Sequence, residues 1–132
     1  MAERIFTLEE ANAALGTIRP IAEEMVRSRR AIVTAEEERA EIALTAAGNG
    51  AGLNPRHVAA LDDVVRRERE ALARCVEKIQ AAGVQVKDLD TGLLDFPSRR
   101  DDEDILLCWR VGEPEIAWWH TVEGGFAGRQ PL

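Results

Sequence analysis

The apolar positions between residues 7 and 83 recur at spacings of three and four, which predicts two long helices. The apolar seam of the first helix consists of Leu8, Ala11, Leu15, Ile18, Ala22, Met25 and Ile32, with Arg29 out of pattern. The seam of the second consists of Val58, Leu61, Val65, Leu72, Cys75, Ile79 and Ala82. Because a short loop joins them, we expect the two helices to pack antiparallel.

The first helix has a clear start and one internal conflict. Thr7 and Glu10 fit a capping box, in which each side chain binds the backbone amide of the other residue. Pro20 falls inside the seam and removes one helical hydrogen bond. The sequence therefore predicts a helix that is either kinked at Pro20 or broken there, with Thr17 capping a second segment that runs to about Ala47.

The boundaries of the second helix follow from loop residues. The stretch "AGNGAGLNP" is typical of a loop, and Asn54 followed by Pro55 favours a cap and a first helical residue. Gly83 is placed to end the helix. His57 falls in the first turn, where a surface or capping role is the simplest interpretation.

After Gly83 the pattern changes to short apolar runs between turn and charge clusters. We predict three strands, "GLLDFP", "ILLCWR" and "EIAWWH", with "SRRDDED" as the first connecting loop and a tight turn around Gly112 and Pro114 as the second. The predicted fold is α+β: an antiparallel helical hairpin over 7–83 packed against a three-stranded antiparallel meander. Together with a glycine-rich tail, the meander occupies 84–132, and the whole chain, 1–132, is predicted to form one domain.

The amino-acid composition limits the kinds of binding partner that we expect. The 24 acidic and 17 basic residues give a net charge of −7, and no basic stripe is present, so nucleic acid and anionic membranes are not expected partners. Two cysteines are too few for a disulfide framework. No apolar signal segment or run of eighteen apolar residues occurs, which favours a cytoplasmic location.

The loop between the last two predicted strands decides which side chains share a face. With a four-residue loop, Arg110 lies opposite Glu115, and Cys108 and His120 point to opposite faces. With a loop one residue longer, Arg110 lies opposite Ile116, and Cys108 and His120 become diagonal neighbours. The sequence leaves both registers open.

Two kinds of site are conceivable in this region. In the metal hypothesis His120 binds an ion together with Cys108 and either Glu113 or Glu123. A buried, inert cysteine and a hydrogen-bonded structural histidine are the more ordinary interpretation of the same pair.

The second kind of site is for a small anion. Glycines at 124, 125 and 128 can form a backbone anion nest, and Arg129 can grip phosphate or carboxylate. Trp118 and Trp119 point to opposite faces of a strand, so one can fill the core while the other lies near the surface. The predicted ligand-binding residues are Arg110, Glu113, Trp119, His120 and Arg129.

Four stretches, "FTLEEANAAL", "GLLDFP", "LCWRVGEPEIAWWH" and "GFAGRQPL", resemble the bacterial family of domain of unknown function 2203. The resemblance covers nearly the full length, and its C-terminal third is the most specific part. It implies a small prokaryotic protein of a family with no assigned activity or cofactor. The family pattern falls on Asp95, Cys108, Trp109, Arg110, Gly112, Glu113, Trp119, His120, Gly125, Phe126, Gly128 and Arg129.

Three functional hypotheses follow. The favoured one is a non-enzymatic binding or regulatory module that recognises a small anion or a partner protein through its C-terminal Trp/Arg/Glu/His cluster, because no catalytic triad, phosphate loop or strongly spaced metal motif occurs. The alternative is a small metal-dependent enzyme or metal sensor at His120. The third is a coiled-coil module that forms a homodimer through its helix seams.

Overall fold

The computed structural model describes residues 4–49 and 54–132 of the chain. Within them, two helices come first, α1 (Leu8–Asn49) and α2 (Pro55–Ala81). Five strands follow: β1 (Gln85–Asp88), β2 (Leu93–Arg100), β3 (Glu103–Arg110), β4 (Trp118–Thr121) and β5 (Gln130–Pro131), with a 3₁₀ helix at Phe126–Gly128 before the last. The predicted α+β class and the packing of the two helices against each other are confirmed.

Helix α1 begins at the predicted capping box. The Thr7 hydroxyl accepts from the Glu10 amide at 3.1 Å, and the Glu10 carboxylate accepts from the Thr7 amide at 2.9 Å. The helix then continues through Pro20 as one element, so the predicted break with a new cap at Thr17 is wrong. Ile18 and Ala22 on either side of Pro20 are buried in the core, and their packing offsets the hydrogen bond that proline removes.

Helix α2 begins as predicted. The Asn54 side chain accepts from two amides of the first turn, the closer at 3.1 Å, and Pro55 is the first helical residue. Gly83 follows the helix with a positive φ of 89°, a conformation that glycine adopts without steric cost. His57 Nε2 lies 3.1 Å from Glu38 Oε1, so this histidine connects the two helices at the surface.

The sheet is larger than predicted. Its five strands are antiparallel and lie in sequence order, β1 to β5, whereas the sequence predicted three. The two missed strands lie at the ends of the order, and each pairs with one neighbour. Strand β1 is four residues long with an irregularity between Val86 and Asp88, and β5 is two residues long. Elements this short carry too little apolar periodicity to be recognised.

The connections also differ from the prediction. Strands β2 and β3 continue to a two-residue turn at Asp101 and Asp102, both with positive φ, so most of the predicted loop "SRRDDED" is strand. Positive φ at both central residues is the geometry that matches the twist of a hairpin. Strand β4 begins at Trp118, three residues later than predicted, which leaves a longer connection after β3.

Alternate residues of the sheet face the helices, and we call this side the inner face. Its buried members are Leu94, Phe96, Ile105, Leu107 and Trp109. They form one core with the helix seams, of which Leu8 is 39% exposed while the other predicted α1 members are buried. On α2, Leu61, Cys75 and Ile79 are buried. The seams are therefore used within the chain.

Candidate metal centre and its surroundings

The opposite side of the sheet, the outer face, brings three chemically distinct side chains together. Cys108 pairs with Trp118 and Leu106 pairs with His120, which is the longer-loop register of the two considered. On the other side of β3, Asp95 pairs with Cys108. Directly paired residues on adjacent antiparallel strands point to the same face of a sheet. Asp95 therefore lies beside Cys108, and His120 is the diagonal neighbour of Cys108.

The His120 ring has both of its nitrogens engaged. Nδ1 lies 2.8 Å from the backbone oxygen of Thr121, which can only accept, so Nδ1 carries a proton and donates. Nε2 lies 3.0 Å from Asp95 Oδ1. One proton must therefore lie between His120 and Asp95, so the pair is either imidazolium with carboxylate or imidazole with carboxylic acid, and its net charge is zero in both cases.

The three side chains form a compact set of donor atoms. A carboxylate oxygen of Asp95, the sulfur of Cys108 and a ring nitrogen of His120 all lie within 4.8 Å of one another. The three residues are 2%, 0% and 2% exposed. Carboxylate, thiolate and imidazole are the ligands that zinc takes in proteins, so the donor chemistry fits a zinc-class ion.

Without a metal ion, Cys108 is a poor nucleophile. Burial raises the pKa of its thiol to about 11, and the nearby Asp95 carboxylate adds to the increase. The Arg129 guanidinium opposes this shift but does not outweigh it. Since the thiolate is the reactive form, the site does not support thiol catalysis near neutral pH. A bound cation would displace the thiol proton and use the sulfur as a ligand.

Glu113 organises the loop beside this cluster. Its carboxylate accepts from Arg129 Nη2 at 2.5 Å and from the Arg110 backbone amide at 2.8 Å. Its backbone carbonyl accepts from Trp109 Nε1 and from Arg19 Nη1, both at 2.9 Å. Glu113 thus ties the loop to the tail, to β3 and to α1, and an anion binding at Arg129 would have to compete with Glu113.

The tail is held against the sheet by arginine–aromatic contacts. The Arg129 guanidinium lies 4.9 Å from the centre of the Trp118 ring and 5.1 Å from that of Phe126. Arg110 lies 5.6 Å from the Phe126 ring. Arg129 also donates to the Cys108 carbonyl at 3.5 Å. The Arg129 guanidinium therefore lies against two aromatic rings and beside the backbone of Cys108.

The predicted site residues therefore separate into groups. Cys108 and His120 meet, whereas Glu113 pairs with Arg129, and Glu123 is exposed. Within the described residues, the third donor of the cluster is Asp95 and neither of these glutamates. The sequence singled out Asp95 only as a position of the family pattern. The sequence feature that could have identified Asp95 is an acidic residue inside the apolar strand "GLLDFP".

Trp119 lies on the inner face, away from the donor cluster. It pairs with Leu107 on β3 and packs half-buried against the core. The Arg100 guanidinium lies 4.6 Å from the centre of the Trp119 ring. The ligand-binding role predicted for Arg110, Glu113, Trp119, His120 and Arg129 stays a prediction.

The fold and the buried cluster define a class of small α+β protein in which a helical hairpin supports an antiparallel sheet with a buried Asp/Cys/His cluster on its outer face. The chain belongs to the family described as uncharacterized conserved protein (DUF2203), whose model matches residues 4–132. No curated protein and no solved structure matched it. Across the ranges 4–49 and 54–132, neither helix is apolar enough over a sufficient length to cross a membrane.

Proposed function

We propose that this protein is a metal-binding module that holds a zinc-class divalent ion with Asp95, Cys108 and His120. The observation that supports this most is the approach of the three donor atoms to within 4.8 Å from three adjacent strands. At usual zinc–ligand lengths, tetrahedral donors lie about 3.3 to 3.8 Å apart. A bound ion would replace the proton that Asp95 and His120 share in their hydrogen bond. Calcium and magnesium are disfavoured because they prefer oxygen ligands.

The burial of the cluster favours a binding role over a catalytic one. The side chains of Asp95 and His120 are each 3% exposed. A catalytic zinc site keeps one position open to water and substrate. Three protein donors leave the fourth position of a tetrahedral ion to water. A site closed to substrate to this extent suits a sensor ion better than a catalytic one, which combines the predicted binding module with the predicted metal site.

Metal analysis with matched variants tests the proposal. Tag-free protein is purified without chelator and analysed by elemental mass spectrometry, beside Asp95→Asn, Cys108→Ser and His120→Gln. The metal-free protein is then titrated with Co²⁺, whose thiolate complex has a characteristic absorption. We expect one ion per chain in the wild type, and loss of the thiolate absorption in Cys108→Ser.

The chain offers two controls for this experiment. Cys75 is the other free, buried cysteine, and His57 is the other histidine, and both lie outside the cluster. Cys75→Ser and His57→Ala should bind as the wild type does. Metal-free wild-type protein that gives no Co²⁺–thiolate band, or a band that survives in Cys108→Ser, would overturn the proposal.

A small anion is the second candidate ligand, in a cleft distinct from the donor cluster. The cleft measures about 510 Å³, and Thr91, Arg110, Gly112 and Glu113 are among its lining residues. Glu113 is neutralised by Arg129, while Arg110 has no ion-pair partner among the described residues. The Thr91 hydroxyl already donates to Asp88, so the exposed Arg110 guanidinium is the group that would bind phosphate or carboxylate.

Calorimetry of metal-free protein with inorganic phosphate, and separately with succinate, tests this candidate. Arg110→Gln should abolish the heat of binding, whereas Arg67→Gln, at an exposed position on α2, should leave it unchanged. No heat with either anion contradicts the candidate and leaves the metal proposal standing.

We further propose that hairpin and sheet act as one domain in the cytoplasm. Both cysteines are buried and unpaired, as expected in a reducing compartment. The shared core joins helix and strand residues. A single cooperative transition in urea, followed in parallel by far-UV circular dichroism and tryptophan fluorescence, is the expected result.

A further inference from the structure

A groove of about 520 Å³ lies between α1 and α2 at the middle of α1. Its uncharged lining residues are small or branched: Ala31, Thr34 and Ala35 from α1, and Leu61 and Val64 from α2. Arg27, Arg30 and Glu38 complete the lining. Ala35 and Leu61 are buried at 5% and 8% exposure, and Thr34 is exposed. Small side chains permit another helix to approach closely.

The predicted apolar seam of α1 does not supply a surface for self-association. On α1 the seam residues Ala11, Leu15, Ile18, Ala22 and Met25 are buried in the core with α2 and the inner face of the sheet. A second molecule that packs on the hairpin must therefore use another stripe. The groove lies on such a stripe, because positions 27, 31, 34, 38 and 41 follow a seven-residue repeat.

Four charged residues on and beside this stripe are arranged symmetrically about Thr34. Arg30 and Glu38 each stand four residues from Thr34, and Arg27 and Glu41 each stand seven residues from it, with the basic pair on one side and the acidic pair on the other. All four charged residues are exposed. Among the residues that the structure describes, Arg27, Arg30 and Glu41 have no ion-pair partner.

We infer that this groove is a self-association surface, in which α1 of a second copy packs antiparallel across a two-fold axis beside Thr34. In a two-fold interface, each contact between one residue and another occurs twice. Arg30 then faces Glu38 of the second copy, and Arg27 faces its Glu41. Two hairpins joined in this way form a four-helix bundle.

The same arrangement disfavours the parallel alternative. Side-by-side parallel copies would bring Arg27 against Arg27 and Glu41 against Glu41, and like charges in an interface are costly. Glu38 also accepts from His57, but its side chain is 48% exposed and has room for a second partner. Antiparallel pairing is therefore the one in which all four charges are complemented.

Charge reversal tests the inference. Analytical ultracentrifugation of the full chain over a range of concentrations should give twice the 14.6 kDa of one chain at high concentration. The variant Arg27→Glu/Arg30→Glu has an all-acidic stripe, and Glu38→Arg/Glu41→Arg an all-basic one. Each alone should raise the dissociation constant roughly a hundredfold or more, because every pair becomes repulsive.

An equimolar mixture of the two variants is the decisive sample, because every pair across the axis is again complementary. We expect the mixture to form a heterodimer. Arg66→Glu/Arg67→Glu, a double reversal outside the groove lining, is the matched control and should dimerise as the wild type does. Circular dichroism checks that each variant keeps its helical content.

Three results would each overturn the inference: a wild type that is monomeric at every concentration, a dimer that both stripe variants leave intact, or a mixture that fails to associate. The stripe shares no residue with Asp95, Cys108 and His120. Failure of self-association therefore leaves the metal proposal unaffected, and the reverse also holds.

Discussion

Cys108 and Trp109 are neighbours on β3, and neither has exposed surface, yet they lie in different surroundings. Trp109 points to the inner face, where the helices and the sheet contribute apolar side chains. Cys108 points to the outer face, where it lies between Asp95 and Trp118 on the adjacent strands and its neighbours include a carboxyl group and an imidazole. The burial of Trp109 is explained by the hydrophobic core. The burial of Asp95 and His120 costs desolvation free energy, and apolar residues at these positions would form a sheet without that cost.

Truncation of a side chain on the inner face should lower the free energy of unfolding more than a change on the outer face. Trp109→Ala leaves a large cavity, and we expect the free energy of unfolding to fall by about 3 to 5 kcal/mol in urea denaturation. Trp109→Phe keeps most of the volume and should cost less. A loss below about 1 kcal/mol in Trp109→Ala would contradict the assignment of Trp109 to the core.

The outer face should respond differently to single and double changes. Asp95→Ala leaves the buried His120 without its partner and should cost about 3 kcal/mol of unfolding free energy. The double variant Asp95→Leu/His120→Leu removes both polar groups and should cost less than the single change. Urea denaturation of metal-free protein measures both, and a double variant that loses as much unfolding free energy as Asp95→Ala, or more, would contradict the argument.

The Cys108 thiol should make stability fall at alkaline pH. Its pKa is raised by burial from 9.0 to about 11. Between these values the unfolded chain loses the thiol proton while the folded protein keeps it, so stability decreases as pH rises.

The expected loss is roughly 2 to 3 kcal/mol between pH 9 and pH 11, with the contribution fully present below pH 9. The measurement is the unfolding free energy of metal-free wild type minus that of Cys108→Ala across this range. Two curves that run parallel would show that the thiol is not held in its neutral form.

Loss of the Arg129–Glu113 contact, which holds the tail, should lower the free energy of unfolding by the smallest amount of these changes. Arg129→Ala or Glu113→Gln breaks an ion pair whose side chains are 11% and 17% exposed, and we expect a cost of about 1 to 2 kcal/mol for either. The double variant should cost little more than one single, because the residues act as a pair.

The exposed pair Arg99–Asp104 is the control for the tail contact. Its side chains are 62% and 64% exposed, and Arg99→Ala should cost less than about 1 kcal/mol. Equal losses in Arg99→Ala and Arg129→Ala would mean that the tail is no more strongly held than an ordinary surface contact.

The candidate site could be predicted only in part. Cysteine and histidine were recognisable as donors from their chemistry, but their meeting depended on one residue of loop length, and the apolar pattern fits both registers. Asp95 is distant from both in sequence, and only the β2–β3 pairing brings it opposite Cys108. Glu113 looked like a metal ligand by type, but the structure pairs it with Arg129.

The amino-acid sequence by itself determined the helical hairpin and the α+β class. These follow from local physics: a three-and-four periodicity that buries one face of each helix, a reciprocal cap at Thr7 and Glu10, and an Asn54–Pro55 start. The tertiary structure decided the continuity of α1 through Pro20, the two end strands, the register of β3 against β4 and the side chains that surround Cys108. Each of these features depends on contacts between residues far apart in the chain. The free energy of such contacts cannot be inferred from a local sequence pattern.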